Sequence, residues 1–210
     1  GVYGNVAIML PMVSAMDEVQ QVRRIMQEMH QELSAQNLQH APELPLGVMI
    51  ETPAAALICD ALARECDFFS IGTNDLIHYI MGIDRNNRHV AYLNEPLHPA
   101  VVRSLKHIVD AAHREGIGVS VCGELASDPL GMALLLGMGV DTISAAPRFV
   151  PGLKHLIRQL RAETCMELAH SVLMSTDVAA SRRMVREQLH QSLGPELAFH
   201  TTSLLIHSQP

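Results

Sequence analysis

Short apolar runs alternate along this chain with longer segments in which apolar residues recur every three or four positions. The short runs predict buried strands, and the longer segments predict amphipathic helices. Strands and helices that alternate in this way are typical of βα units around a parallel sheet. The pattern therefore predicts an α/β protein with strands at 6–13, 46–50, 67–71, 117–121 and 141–144.

Three further helices are predicted after the last strand, at 150–160, 163–174 and 177–193. A TIM (β/α)8 barrel needs eight strands and about 250 residues, so five βα units leave two alternatives. One is an open doubly wound sheet, and the other is the C-terminal part of a barrel whose first strands lie elsewhere. Because the chain starts within a few residues of its first strand, we favour the partial barrel. We expect residues 1–160 to form it and residues 161–210 to be a C-terminal helical extension of the same domain.

The composition of the chain argues against several classes of function. A formal net charge of -7 and a pI near 5.9 give no general attraction to nucleic acid. No run approaches the ~18 apolar residues of a membrane helix, and no targeting segment is visible. We therefore expect a cytoplasmic protein without membrane insertion. Its cysteines lack zinc spacing and are expected to be reduced thiols; they are Cys59, Cys66, Cys122 and Cys165.

Polar side chains follow three of the predicted strands, at the edge where parallel-sheet proteins bind ligands. Glu51 follows the second strand, Asn74 and Asp75 follow the third, and Cys122 follows the fourth. Carboxylates from neighbouring strand ends can share one Mg²⁺, with water and substrate phosphate completing its coordination. Glu51 and Asp75 fit that role. Each could instead cap the helix that begins beside it, and spacing alone slightly favours capping.

An anion could bind at the same edge. Residues 72–75 (Gly-Thr-Asn-Asp) present backbone N–H groups at the start of a helix, which is a natural seat for phosphate or carboxylate. Arg85 lies in the loop after that helix, where its guanidinium could make a bidentate contact with the anion. For Arg88, in the same loop, we favour a solvated surface position.

Cys122 stands at this edge and not within a predicted helix, with Gly123 after it and Glu124 two positions on. No histidine signature nearby marks it as a nucleophile. Free thiols titrate near pH ~8.5, so a thiol at neutral pH can still give its proton to a basic enolate. An inert buried position is the commoner fate of a cysteine, and it is expected for the other three.

Five motifs occur along the chain in a fixed order. They are Leu10-Pro11-Met12, Gly47-Val48-Met49-Ile50-Glu51-Thr52-Pro53-Ala54-Ala55, Asp67-Phe68-Phe69-Ser70-Ile71-Gly72-Thr73-Asn74-Asp75-Leu76, Asp84-Arg85-Asn86-Asn87 and Cys122-Gly123-Glu124-Leu125-Ala126. Over residues 6–160 the chain resembles the phosphoenolpyruvate-binding barrel of enzyme I of the bacterial sugar phosphotransferase system. Pyruvate phosphate dikinase and phosphoenolpyruvate synthase share that barrel, but the motifs are more similar to those of enzyme I and the multiphosphoryl transfer proteins.

The resemblance implies a phosphoenolpyruvate-protein phosphotransferase. It implies that Glu51 and Asp75 ligate Mg²⁺, and that Asn74, Asp75 and Arg85 bind phosphoenolpyruvate. It also implies that Cys122 protonates C3 of the enolate that remains after phosphoryl transfer, which releases pyruvate.

The resemblance further implies an upstream phosphohistidine domain that accepts the phosphoryl group, a histidine phosphocarrier protein, and a homodimer. The accepting histidine, and the arginines that the family places on earlier strands, are not in this chain. We therefore expect the 210-residue chain to be inactive alone. Residues 145–148 (Ala-Ala-Pro-Arg) depart from the serine-rich sequence expected there, which leaves the partner's approach on that side open.

Two other functions remain alternatives. A lyase or aldolase-like enzyme of the wider phosphoenolpyruvate/pyruvate barrel group would use Mg²⁺ and an enolate, and would turn over a keto acid without an acceptor protein. A non-catalytic dimerisation module would form a tight dimer that ignores phosphoenolpyruvate. Its contact surface would be the apolar part of the helical tail at 153–193.

Overall fold

The computed structural model describes residues 5–41, 43–84 and 87–206, and within these ranges five parallel strands form one sheet. The strands are β1 (Ile8–Leu10), β2 (Leu46–Ile50), β3 (Phe68–Gly72), β4 (Gly118–Cys122) and β5 (Thr142–Ile143). The helices between and after them are α1 (Met16–Ala35), α2 (Pro53–Leu57), α3 (Cys59–Leu62), α4 (Thr73–Met81), α5 (Pro99–Arg114), α6 (Pro129–Met138), α7 (Val150–Ile157), α8 (Ala162–Met174) and α9 (Val178–Ile206). Short 3-10 helices occur at Arg88–Leu93 and Leu125–Ser127.

The order of the strands decides between the two predicted topologies. Each strand pairs in parallel with the next one along the chain, from β1 to β5, without a reversal. A doubly wound sheet reverses its strand order at a switch point, whereas a (β/α) barrel winds in one direction only. The predicted α/β fold with five barrel-type units and a helical tail is confirmed, and the doubly wound alternative is wrong.

The two faces of the sheet differ in side-chain size and burial. Paired residues such as Val48 and Phe69, or Ile71 and Val121, are fully buried and form the core. Side chains alternate along a strand, so the intervening residues share the opposite face. Toward the carboxyl ends of β3 and β4 that face carries small or polar residues, among them Ser70, which pairs with Ser120, while Met49 and Phe68 on the same face are larger. The core therefore lies on one side of the sheet, and space for a ligand lies on the other.

Three strands have bounds that differ from the sequence prediction. The first strand was predicted over 6–13 but covers only Ile8–Leu10. Pro11 cannot donate a backbone hydrogen bond, and Met12 has a positive φ of 55°, so the ladder stops there. The strands β3 and β4 each end one residue later than predicted, which makes Cys122 the last residue of β4.

The helical tail packs on the rest of the chain through close contact between α6 and α8. A Cβ atom on Gly137 of α6 would lie 1.9 Å from the carbonyl oxygen of Cys165 on α8, so only glycine permits this approach. The helix α9 packs against both helices and buries Val185 and Leu189. The division between a partial barrel at 1–160 and a helical extension at 161–210 stays a prediction. No helix within the described ranges has the length and apolar content to cross a membrane.

The contact between α6 and α8 leads to a prediction for Gly137→Ala. The added methyl group would overlap the backbone of α8, and overpacking of this kind costs about 1 to 3 kcal/mol in the free energy of unfolding. Gly152→Ala in α7 is the matched control, because a Cβ there meets nothing within 4 Å. Urea denaturation of both variants should show destabilisation by the first change only. Equal stabilities would contradict the close packing.

Candidate functional site

The carboxyl ends of β2, β3 and β4 bring three predicted positions together. Gly72 pairs with Cys122, so both residues share the face of the sheet opposite the core. Glu51 follows Ile50, which pairs with Ile71, so Glu51 continues on the same face beside Gly72. The three strand ends therefore point toward one region.

Glu51 is almost fully buried, with 4% of its surface exposed. Its Oε1 accepts a hydrogen bond of 2.8 Å from the backbone N–H of Met12, which follows β1. Its Oε2 occupies the space beside Gly72, where an added Cβ atom would lie 2.6 Å away. The predicted capping role of Glu51 is wrong, because the helix α2 is capped by the Thr52 hydroxyl, which accepts a hydrogen bond from the Ala55 N–H.

The start of α4 is tied to the segment after β4 by two hydrogen bonds. The buried Thr73 hydroxyl donates to the carbonyl oxygen of Cys122 over 2.7 Å. The side-chain Oδ1 of Asn74 accepts from the backbone N–H of Glu124 over 2.9 Å. Gly123 lies between these two contacts with a positive φ of 100°. Asp75 follows in the first turn of α4, three residues after Gly72.

Cys122 is half-buried at the end of β4. Its Sγ lies 3.5 Å from the carbonyl oxygen of Ile71 and 4.0 Å from the Ser70 hydroxyl. Cys122 lines a pocket of about 970 Å³ at the carboxyl ends of β3, β4 and β5. Residues that line this pocket include Asn74, Cys122, Glu124, Asp128, Arg148 and Phe149.

The other three thiols are buried and free, as expected for inert cysteines. Burial raises the pKa of Cys59 to about 11 and that of Cys66 to about 12. Burial also raises the pKa of Cys165. Of the four cysteines, Cys122 is the one placed to meet a ligand.

The residues present are chemically suited to a hard cation at the ends of β2 and β3. Carboxylate oxygens are preferred by Mg²⁺, which can be held by two carboxylates with water and substrate as further ligands. The space beside Gly72 that Oε2 of Glu51 fills lies at the start of the helix that carries Asp75. Among the described side chains, no three His, Cys, Asp or Glu residues are grouped so that they could hold a metal ion. Arg85 lies outside the described residues.

Several residues of the site were not singled out from the sequence. Thr73 lies inside the 72–75 motif, but its role depends on a contact with β4 that local sequence does not indicate. Arg148 lines the pocket and stacks on Phe149, with its Cζ 4.6 Å from the ring centroid. In the sequence, its position shortly after the last strand was the feature that could have indicated a place at the site. Asp128 caps α6 and also lines the pocket.

Comparison with known proteins identifies the family. Residues 1–162 match the family described as PEP-utilising enzyme, PEP-binding domain. The chain belongs to this family. The family comprises enzymes that use phosphoenolpyruvate (PEP), and the matched region contains Glu51, Asn74, Asp75 and Cys122.

Relatives of known name agree with this assignment. A phosphoenolpyruvate-protein phosphotransferase of Bacillus sp. (strain S) is 44% identical over 172 residues, which is 82% of this chain and 30% of the relative. The one from Haemophilus influenzae is 37% identical over 187 residues, covering 89% of this chain and 32% of the relative. A multiphosphoryl transfer protein of Escherichia coli O6:H1 is 41% identical over 167 residues, covering 80% and 20%. The chain thus spans about a third or less of these relatives.

A solved structure confirms the fold class alone. The crystal structure of a citrate lyase from Burkholderia xenovorans LB400 has a TM-score of 0.54 and 18% sequence identity to this chain. It covers 93% of this chain, which in turn covers 67% of the lyase chain. The likeness at this identity shows a shared barrel-like α/β architecture.

Cys122 is more exposed than the other three cysteines, and this difference predicts that an alkylating reagent modifies it first. At about pH 8, iodoacetamide should modify Cys122 well before the others, because thiolate formation and access control this reaction. The raised pKa values of Cys59, Cys66 and Cys165 and their burial should keep them slow. Mass spectrometry of the digested protein would identify the modified residue, and Cys122→Ser should remove the fast phase. Equally fast labelling of a second cysteine would contradict this arrangement.

Proposed function

We propose that this chain carries the PEP-binding site of a phosphoenolpyruvate-protein phosphotransferase. The observation that supports it most directly is that Asn74 and Cys122, from two separate motifs, line one pocket at the strand ends. The buried carboxylate of Glu51 ends the neighbouring strand on the same face. The reaction would transfer the phosphoryl group of PEP to a histidine on another domain and release pyruvate.

Asn74 and the start of α4 would hold the anionic substrate. The side-chain Oδ1 of Asn74 accepts from Glu124, so its Nδ2–H₂ group is the part that can donate to a bound anion. The backbone N–H groups at the start of α4 add a partial positive charge. We assign Asp75 and Arg85 to the same substrate, in keeping with the family motifs in which they stand.

Glu51 and Asp75 would hold Mg²⁺. When bound, the ion would neutralise charge on the phosphate and carboxylate of the substrate. The protein contributes a fixed position for one ligand, because the Met12 N–H holds Oε1 of Glu51 and Gly72 makes room for Oε2. Because Glu51 is almost fully buried, little of its carboxylate is open to bulk water, which would otherwise compete with the ion.

Cys122 would complete the reaction as a general acid. Breaking the P–O bond of PEP leaves the enolate of pyruvate, and the Cys122 S–H would give its proton to C3 of that enolate. The resulting thiolate would then recover a proton from solvent. Formation of the keto acid makes the reverse reaction unfavourable, so the proton transfer drives phosphoryl transfer forward.

The partners of the proposed reaction lie outside this chain. We assign the accepting histidine to an upstream phosphohistidine domain, and the next acceptor to a histidine phosphocarrier protein. This proposal follows the names of the relatives, which are phosphotransferases and a multiphosphoryl transfer protein. We further propose a homodimer in the cytoplasm, where PEP is formed and consumed.

Cys122→Ala tests the general acid. In the full-length protein, with the proposed upstream strands and phosphohistidine domain, pyruvate formation should fall by about a hundredfold or more, the usual contribution of a positioned acid. Binding of PEP, measured by calorimetry, should change little, since the thiol acts on the enolate and not on the phosphate. The buried Cys165→Ala serves as the control for loss of a thiol. Normal pyruvate formation by the Cys122 variant would remove this residue from the mechanism.

Glu51→Gln and Asp75→Asn test the proposed metal ligands. Each keeps the shape of the side chain but removes its charge, so the Mg²⁺ concentration for half-maximal activity should rise by roughly tenfold or more. The fold should persist, because a glutamine can still accept from the Met12 N–H. Glu43→Gln, at an exposed position, is the control. Unchanged Mg²⁺ dependence together with normal activity would show that these carboxylates are structural.

A further inference from the structure

An ion pair joins the C-terminal helix α9 to the segment that contains Pro96, which lines the pocket. The guanidinium of Arg182, on α9, donates from Nε to Oε2 of Glu95 over 2.9 Å and from Nη2 to the same oxygen. The two residues are 87 positions apart in the chain. The Glu95 side chain is only 14% exposed, whereas that of Arg182 is 46% exposed.

Glu95 is held directly beside the pocket. Its other oxygen, Oε1, accepts from the backbone N–H of Leu97 over 3.0 Å, and Leu97 is buried. Pro96, between these residues, lines the pocket. The carboxylate of Glu95 thus fixes a short segment of the pocket wall, and Arg182 fixes the carboxylate.

A second acid, Asp128, lies within electrostatic reach of Arg182. Asp128 lines the pocket and caps α6 by accepting from the Leu130 N–H over 3.1 Å. Burial raises the pKa of Asp128, the nearby Arg182 lowers it, and Glu95 raises it. Two carboxylates and one guanidinium therefore lie near one another at this side of the pocket. Without the guanidinium, the charges of both carboxylates would be left uncompensated beside a pocket that is proposed to accept an anion.

The backbone of Arg182 is fixed by its helix. The neighbouring Ser181 is 1% exposed, and Val185, on the next turn, is fully buried. Asp177 begins the helix by accepting from the N–H groups of Ala179 and Ala180. The guanidinium therefore extends from a part of α9 that is packed against the rest of the chain.

We propose that Arg182 is a positioning residue of the pocket, which holds Glu95 in the wall and offsets the acids there so that a phosphorylated carboxylate can enter. The helical tail would thus be part of the binding site and not an accessory. Only the choice of PEP as the natural anion rests on the proposed function.

A pair of reagents that differ in charge tests this inference without turnover. Iodoacetate and iodoacetamide both react with the Cys122 thiolate by displacement of iodide, but only iodoacetate is an anion. The ratio of their rates at Cys122, measured at low salt by mass spectrometry on the full chain, reports the potential inside the pocket. Arg182→Gln should lower the relative rate of iodoacetate by roughly two- to fivefold, as expected for one screened unit charge.

Two further variants distinguish the charge effect from simple loosening of the structure. Glu95→Gln in the Arg182→Gln background should restore the ratio, since the carboxylate left unpaired is then neutral. Glu95→Gln alone should leave the ratio at or above that of the parent chain, which keeps the test informative if Arg182→Gln folds poorly. Arg183→Gln, an exposed neighbour on α9, should have no effect.

The outcomes separate this proposal from the proposed function. An unchanged ratio in Arg182→Gln, or a lowered ratio that the double variant does not restore, would overturn the role of Arg182. If Arg182→Gln raised the rates of iodoacetate and iodoacetamide equally, the Arg182–Glu95 ion pair would only limit access to the pocket. That result would also overturn the charge-balancing role. Failure of the full-length protein, with the proposed upstream strands and phosphohistidine domain, to transfer phosphate from PEP would instead overturn the proposed function and leave the rate ratios as they are.

Discussion

The site depends on the close approach of the segments that follow β3 and β4. The Thr73 hydroxyl binds the carbonyl of Cys122, and Asn74 binds the N–H of Glu124. A Cβ atom on Gly123 would lie 2.4 Å from the Thr73 hydroxyl, and the positive φ there also disfavours other residues. Because these segments are in direct contact and are joined by two hydrogen bonds, the start of α4 and the end of β4 are held in a fixed relative position.

The two faces of the sheet have different tasks. On the core face, Val48, Phe69 and Ile71 are fully buried, so the strands cannot shift in register without exposing apolar surface. The opposite face carries smaller and more polar side chains near its carboxyl edge, among them Ser70 and Gly72. The rigid core side can therefore support a ligand site without filling it.

The charges around the pocket are unusual for a site that is proposed to take an anion. Glu124 and Asp128 line it, and Arg148 is the cation that lines it in the described part of the chain. Arg148 is held against Phe149, and Arg182 pairs with Glu95 just outside. The net charge of these acidic and basic groups, more than any single one of them, would determine how readily an anion enters the pocket.

The sequence by itself determined the α/β class, the positions of the five strands and the strand-end residues Glu51, Asn74 and Cys122. This was possible because burial imposes a repeating pattern on each strand, and because parallel strands all end at one edge of the sheet. The motifs then restricted the chemistry further, since those at 47–55 and 67–76 combine a strand end with a helix start.

Only the tertiary structure decided the strand order, the hydrogen-bond partner of Glu51 and the walls of the pocket. Spacing slightly favoured Glu51 as a helix cap, but Thr52 takes that position and frees Glu51 for the distant Met12 N–H. The ion pair of Arg182 with Glu95 joins residues 87 positions apart. Contacts of this kind leave no local pattern, because the partner of each polar group is set by how the helices pack on the sheet and not by the neighbours along the chain.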